Sequence, residues 1–340
     1  AGTQQYDAAA LDAEYARESI AALVTKSYVL AVEARMQRAI ADSVVGYSER
    51  AVELAADRLR IGNGDEYDLA LARADLDSSR DVAQQQALAY VQALRALETL
   101  VGRYPAAVIE VPGALPVLAG PVPVGLPSEL LERRPDVVAA EHRVAAAFYQ
   151  VAEAKAARLP KIALTASATS ISSDVFVLQN HANPVVSLGA NLTAPIFNGW
   201  ALEAQVDIRT AEQKLAVAEY GRVAARAFAD VEAALSAEFT ADEREAILAR
   251  AVTDNTRTLD LAQVRLKVGS GDLRAVMQRN VALNSARAAL LRVQGERLVQ
   301  RVNVYLALGG SFETAPAKTG ESGGSRGGPH VARADPAPPN

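Results

Sequence analysis

Few groups in this sequence are placed to do chemistry, and their surroundings limit what each can do. Ser270 stands between Gly269 and Gly271, which are the small neighbours of a nucleophile elbow. An elbow joins a strand to a helix, however, and here a helical pattern runs on both sides. Gly62-Asn63-Gly64 and Gly269-Ser270-Gly271 have the glycine content of a phosphate-cradling loop. Neither is followed by the Gly-Lys-Ser/Thr of a P-loop, and no third glycine completes a dinucleotide fingerprint. His142, His181 and His330 are far apart, which disfavours histidine-based metal or triad chemistry. The chain has no Cys, so thiolate metal sites, a Cys nucleophile and a disulfide framework are excluded. Acidic pairs such as Asp42 and Glu49 lie on helix faces, where solvation explains them. No catalytic residue, cofactor or metal is expected.

The elements that hold these residues are mostly long helices. Of the 340 residues 50% are hydrophobic, but only 5% are aromatic. Small side chains in that proportion suit closely packed helices better than a mixed globular core. The net charge of −5 comes from evenly mixed Arg, Asp and Glu, which argues against a nucleic-acid surface. No run of about 18 apolar residues occurs, and Ala1 to Ala10 lack the basic start and apolar stretch of a signal peptide.

Helical periodicity runs from about Asp7 to Leu59, with only Gly46 inside it, and stops at a turn, Ile61-Gly62-Asn63-Gly64-Asp65, where Asp65 is placed to cap the next helix, Glu66 to Leu100. Six prolines between Pro105 and Pro127 exclude regular helix and central strand, making a crossing connection. Ser128 opens a helix to about Arg158, which Pro160 ends. Two segments, 161–170 and 185–196, then alternate with period two. Ile162, Leu164, Val186, Leu188, Leu192 and Ile196 fall on one side, and small or polar residues on the other. A polar loop, Ser172 to Pro184, joins them, and Phe197-Asn198-Gly199-Trp200 follows. Helix resumes over Ala201–Lys267, breaks at Val268-Gly269-Ser270-Gly271-Asp272, and continues from Leu273 to about Leu308. Residues 310–340 are rich in Gly, Pro, Ser and Ala, and are expected to be disordered.

The stretch Leu54 to Asp65 matches Leu261 to Asp272 without a gap, at a constant offset of 207 positions that also aligns Gly102 with Gly309. The chain therefore reads as the remainder of a first repeat (1–104), a linker (105–127), a second repeat (128–309) and a tail. Carried back by the same offset, the alternating segments would have counterparts before Ala1. Roughly a hundred residues of a longer protein, with a first strand pair and any export signal, are expected to precede this chain.

The alternating segments have the length and two-faced pattern of membrane β-barrel strands, with Phe197 and Trp200 at the position of an interfacial aromatic girdle. A hairpin packed on a soluble domain is the alternative. In a membrane its free edges would need strands from other copies, so that reading requires an oligomer. The long helices suit either a cylinder of antiparallel helices or a solitary coiled-coil rod. Arg58 and Arg265, one turn before each glycine turn, are placed either to pair with acids on neighbouring helices or to remain solvated.

Gly125-Leu126-Pro127-Ser128-Glu129-Leu130-Leu131-Glu132-Arg133-Arg134-Pro135-Asp136-Val137 with Glu141, Ala152 to Ile162, and Ala194-Pro195-Ile196-Phe197-Asn198-Gly199 closely resemble the TolC-type outer-membrane efflux channels, over about Tyr6 to Gly310. The branch they most resemble is the lipoprotein branch serving resistance-nodulation-division pumps. The resemblance implies a mainly α fold with a transmembrane β-hairpin. It further implies a homotrimer whose strands share one twelve-stranded barrel in outer-membrane lipid, continued by a long α-helical barrel in the periplasm. It also implies a passive exit duct, fed by an inner-membrane transporter. A periplasmic adaptor, a membrane fusion protein, would dock on tips that correspond to Ile61, Gly62, Asn63 and Gly64 and to Val268, Gly269, Ser270 and Gly271. Arg58, Arg265, Asp272, Arg274 and Gln278 are the resulting candidates for a periplasmic gate. Gln278 departs from the family, which commonly carries an Asp there. The branch also carries a lipidated amino-terminal Cys. The alternatives to a channel subunit are a soluble periplasmic scaffold of helical hairpins and a truncated channel unable to insert.

Overall fold

Alanine-rich sequence with few β-branched residues propagates helix over long distances, and the chain stops doing so only where glycine or proline intervenes. The computed structural model describes residues 1–118, 120, 132–171 and 183–310. Helix α1 spans Gly2–Arg60 and α2 spans Glu66–Leu100. Helix α3 spans Pro135–Ala156, strands β1 and β2 span Lys161–Ile171 and Asn183–Thr193, helix α4 spans Ala201–Lys267 and helix α5 spans Leu273–Ala307. With 67 residues, α4 is about 100 Å long at the helical rise.

Each helix pair is joined by the same device. At the end of α1, Gly62 adopts φ 75° and donates to the Leu59 carbonyl at 3.0 Å, while Asn63 donates to the Arg58 carbonyl at 2.8 Å. These two bonds form a Schellman motif, which needs a residue in the left-handed region. Gly269, φ 77°, repeats it at the end of α4, with Ser270 donating to the Arg265 carbonyl at 3.0 Å. Asp65 and Asp272 then cap α2 and α5, their Oδ1 atoms accepting from the Asp68 N–H at 2.7 Å and the Ala275 N–H at 2.6 Å.

The core is a chain of small clusters along the helices. Ala51, Ala55, Leu69, Ala72, Leu273 and Met277 are packed together near the turns. Ala31, Val32, Leu94, Leu97 and Val111 form a second cluster farther along α1 and α2. Helix α3 joins the two pairs, packing on both α1 and α4.

Two boundaries differ from the sequence reading. Residues 132 and 133 are helical, the helix breaks at Arg134, and α3 runs from Pro135 to Ala156 where one helix over 128–158 was expected, because proline excludes helical dihedrals from the residue before it and is itself favoured at the first helical position. Arg134, in an extended conformation, is the cap. It is buried and donates to Asp136, to Asp230 and to the Ala307 carbonyl. The second strand runs over 183–193 where 185–196 was expected: Thr193 pairs with Lys161, the first residue of β1, and no β1 residue is left to pair beyond it. Pro195 also lacks the N–H a continuing strand would need. Ile196 therefore lies beyond the strand, 98% exposed. Ser128 and Glu129, most of the loop at 172–184, His181 and the tail from 311 lie outside the described residues.

Candidate functional site

Two places in this fold present an organised surface: the β-hairpin and the pair of glycine turns. In the hairpin, antiparallel register sets Ile162 opposite Leu192, Leu164 opposite Ala190, Ala166 opposite Leu188 and Ala168 opposite Val186. Directly paired residues share a face, so these eight side chains form one apolar surface. The other face pairs Lys161 with Thr193, Ala163 with Asn191, Thr165 with Gly189 and Ser167 with Ser187, whose hydroxyls are 2.6 Å apart. A Cβ on Gly189 would lie 2.9 Å from Thr165 Oγ1, so a side chain there would displace the threonine hydroxyl. Leu164 and Leu188 are each 82% exposed, so no helix of the described chain covers the apolar face. Phe197 and Trp200 follow it, both exposed; Trp200 precedes α4 in the left-handed region at φ 68°.

At the other end of the helices, Ile61, Gly62, Asn63 and Gly64 form one turn, and Val268, Gly269, Ser270 and Gly271 the other. Gly64 and Gly271 are the tightest points. A Cβ on either would lie 3.0 Å from the Cβ, and 3.2 Å from the carbonyl carbon, of Arg58 or Arg265 respectively. Arg58 folds back over its own turn, its Nε donating to the Asn63 carbonyl at 3.3 Å, instead of reaching an acid on a neighbouring helix. Arg265 contributes its carbonyl, which accepts from the Ser270 N–H and, at 3.4 Å, from its hydroxyl. Asp272 serves as the α5 cap, and Gln278 is exposed beside buried Met277. A cleft of about 600 Å³ lies between the two turns, with Tyr47, Leu54, Arg58, Asn63, Gln263 and Gly269 among its walls. Burial pushes the Tyr47 hydroxyl up, with Gln263 and Arg50 opposing it.

Arg274 has the most specific contact at this end. Its guanidinium carbon lies 4.9 Å from the centre of the Tyr67 ring, and Nη2 lies 3.7 Å from Asp68 Oδ1. Tyr67 and Asp68 stand in the first turn of α2, so Arg274 ties the start of α5 to the start of α2. Neither partner stood out in the sequence. The available signal was weak: an aromatic and an acid just after a capping Asp, opposite a cation just after the matching Asp 207 positions on.

The comparisons agree with this geometry. Residues 126–310 match the family model described as outer membrane efflux protein. The chain is 33% identical over 298 residues to the pyoverdine export outer membrane protein OpmQ of Pseudomonas aeruginosa, covering 86% of this chain and 61% of that protein. It is 30% identical over 328 residues to the outer membrane protein OprJ of the same organism, covering 95% of this chain and 68% of that protein. The crystal structure of a membrane protein from Pseudomonas aeruginosa superimposes with a TM-score of 0.83 at 28% identity, over 93% of this chain and 71% of that one. The chain thus spans about three-fifths of the length of OpmQ. The long paired helices and two-faced hairpin of the described residues are the TolC-type fold, and the chain belongs to the outer membrane efflux protein family.

Proposed function

We propose that this chain belongs to the channel subunit of a tripartite efflux pump, a passive exit duct for small molecules from the periplasm to the exterior. Members of the family are outer-membrane proteins whose helices extend into the periplasm. The observation that carries the proposal is the hairpin: strands of 11 residues that set an apolar face against a polar one over 162–168 and 186–192, exposed at the end of a helix about 100 Å long. Such a strand satisfies lipid on one side and a wet lumen on the other. Two strands cannot close on themselves, so the barrel is completed by strands from further copies, in a homotrimer.

The turns at 61–64 and 268–271 are the docking tips for a periplasmic adaptor, and the transporter behind that adaptor is of the resistance-nodulation-division type. Arg274, held by Tyr67 and Asp68, acts as a latch between the helix pairs at the periplasmic entrance. Asp272 and Arg58 hold the turns in shape instead of facing the passage.

The full-length protein, purified in detergent and added to planar bilayers, tests the reading. Trimers that conduct are the expected result. A monomer that remains in the soluble periplasmic fraction and passes no current would identify the chain as a helical scaffold instead.

A further inference from the structure

The polar face of the hairpin carries one charge. Lys161, the first residue of β1, is exposed and stands opposite Thr193, on the face that also holds Thr165, Ser167 and Ser187. The rest of that face, from Ala163 to Thr169 and from Ser187 to Thr193, consists of Ala, Thr, Ser, Gly and Asn, none of them charged. Its hydroxyls are largely turned onto the wall itself. Thr165 Oγ1 donates to the Gly189 carbonyl at 3.3 Å, and the Ser167 and Ser187 hydroxyls bond to each other at 2.6 Å. The Lys161 ammonium, by contrast, makes no ion pair or hydrogen bond with any described residue. At the end of α3, Lys155 and Arg158 also make no ion pair, and neither do Glu153 and Glu203, the nearest carboxylates on the flanking helices.

The charge has a defined height. Lys161 follows α3 and its partner Thr193 precedes α4, so it lies at the helical end of the hairpin, where the long helices give way to the strands. In the proposed homotrimer, symmetry sets one Lys161 from each copy at that same level. Twelve strands about 4.8 Å apart and tilted by about 40° enclose a backbone radius of about 12 Å. A lysine stem reaching about 6 Å inward leaves about 6 Å between its ammonium and the axis. That gap is shorter than the Debye length of about 8 Å at physiological ionic strength, so the fields of the copies overlap across the whole section. Summed in water with this screening, they enrich a monovalent anion at the axis about fivefold over bulk. No other described residue on the polar face of the hairpin can do this.

We propose that Lys161 is the charge-selecting residue of the exit. Its copies form a positive ring at the periplasmic foot of the barrel, which favours anionic solutes and slows cationic ones. The uncharged hairpin wall beyond the ring gives either kind of solute nothing charged to bind as it leaves. This assignment rests on the channel reading above, and it names a class of cargo that the reading leaves open.

Ion selectivity of the full-length protein in planar bilayers, under a potassium chloride gradient at low salt, tests it. The ratio of chloride to potassium permeability, taken from the reversal potential, should fall at least twofold in Lys161→Gln and further in Lys161→Glu. Lys161→Arg keeps the charge and should keep the parent ratio. Thr193→Asp sets a carboxylate opposite the ring and should lower the ratio as Lys161→Gln does, so the test stands even if the Lys161 variants do not assemble. At about 1 M salt, where the Debye length is about 3 Å, the differences should vanish. Conducting trimers with one reversal potential for Lys and Gln would overturn the proposal and leave the channel reading intact. A shift that persists at about 1 M salt would mean a change of pore shape in place of a field, and would overturn it as well. Absence of any current from the parent protein would overturn both readings.

Discussion

At the scale of single residues, the turns separate two reasons for glycine. Gly269 is needed for its dihedral, φ 77°, with nothing within 4 Å of an added Cβ. Gly271 is needed for space, because its Cβ would meet the Arg265 backbone at 3.2 Å. Gly269→Ala should therefore cost about 1–2 kcal/mol in the turn and weaken adaptor docking while trimers persist; pump-dependent drug resistance measures it, and full resistance would count against the tip assignment. Arg274→Ala removes one exposed cation–π contact and one long ion pair, together worth about 1 kcal/mol. That energy corresponds to roughly a fivefold shift toward an open entrance, read as raised conductance in bilayers. Glu98 gives a pH dependence of known sign. Burial alone would raise its pKa, but the N–H bonds from Ala107, Val108 and Ile109 outweigh burial and hold it below the ordinary carboxylate value. A lowered folded pKa contributes stability that is present above the unfolded value and is lost as pH falls through the folded one. Protease cleavage at residues 107–109 should stay flat down to about pH 4 and rise only below it, whereas Glu98→Gln should cleave readily throughout.

At the scale of elements, the hairpin makes the sharpest claim because neighbouring residues point to opposite solvents. Leu188→Arg puts a cation on the apolar face and should hinder insertion by about 2–4 kcal/mol at mid-bilayer. Ser187→Arg, one residue away on the polar face beside Ser167, should assemble normally. The fraction of trimer recovered from outer membranes distinguishes them, and the reverse pattern would mean the faces are inverted. The helices make a quieter claim. Both return helices are 35 residues long, and both turns use the same bonds 207 positions apart, so the two pairs stand at one height and present their tips side by side. The boundaries at Pro135 and Thr193 show what alternation and capping patterns miss: a proline's effect on its predecessor, and the point at which a partner strand runs out.

At the scale of the whole molecule, α4 is unusual in burying only Ala227, Ala234, Ala241 and Leu259 over its described length, while Phe228, Phe239 and Leu261 face outward. In the proposed trimer a second copy covers that surface. Phe239→Asp should lower the recovered trimer by at least half, measured as mass in detergent, without loss of helicity. The helices, their glycine turns and the two-faced strands were legible in the residues because each depends on groups within a few positions of one another: a cap and its N–H, a glycine and its dihedral, alternation along a strand. The contacts of Arg274 with Tyr67 and Asp68, of Arg301 with Gly120, and of Arg134 with Ala307 were not legible, nor was the enclosure of Glu98. Sequence by itself determined the parts and their repeat. Tertiary structure alone decided which parts hold one another, because those contacts join residues far apart in the chain whose meeting depends on how long helices lie together, and no local pattern encodes that.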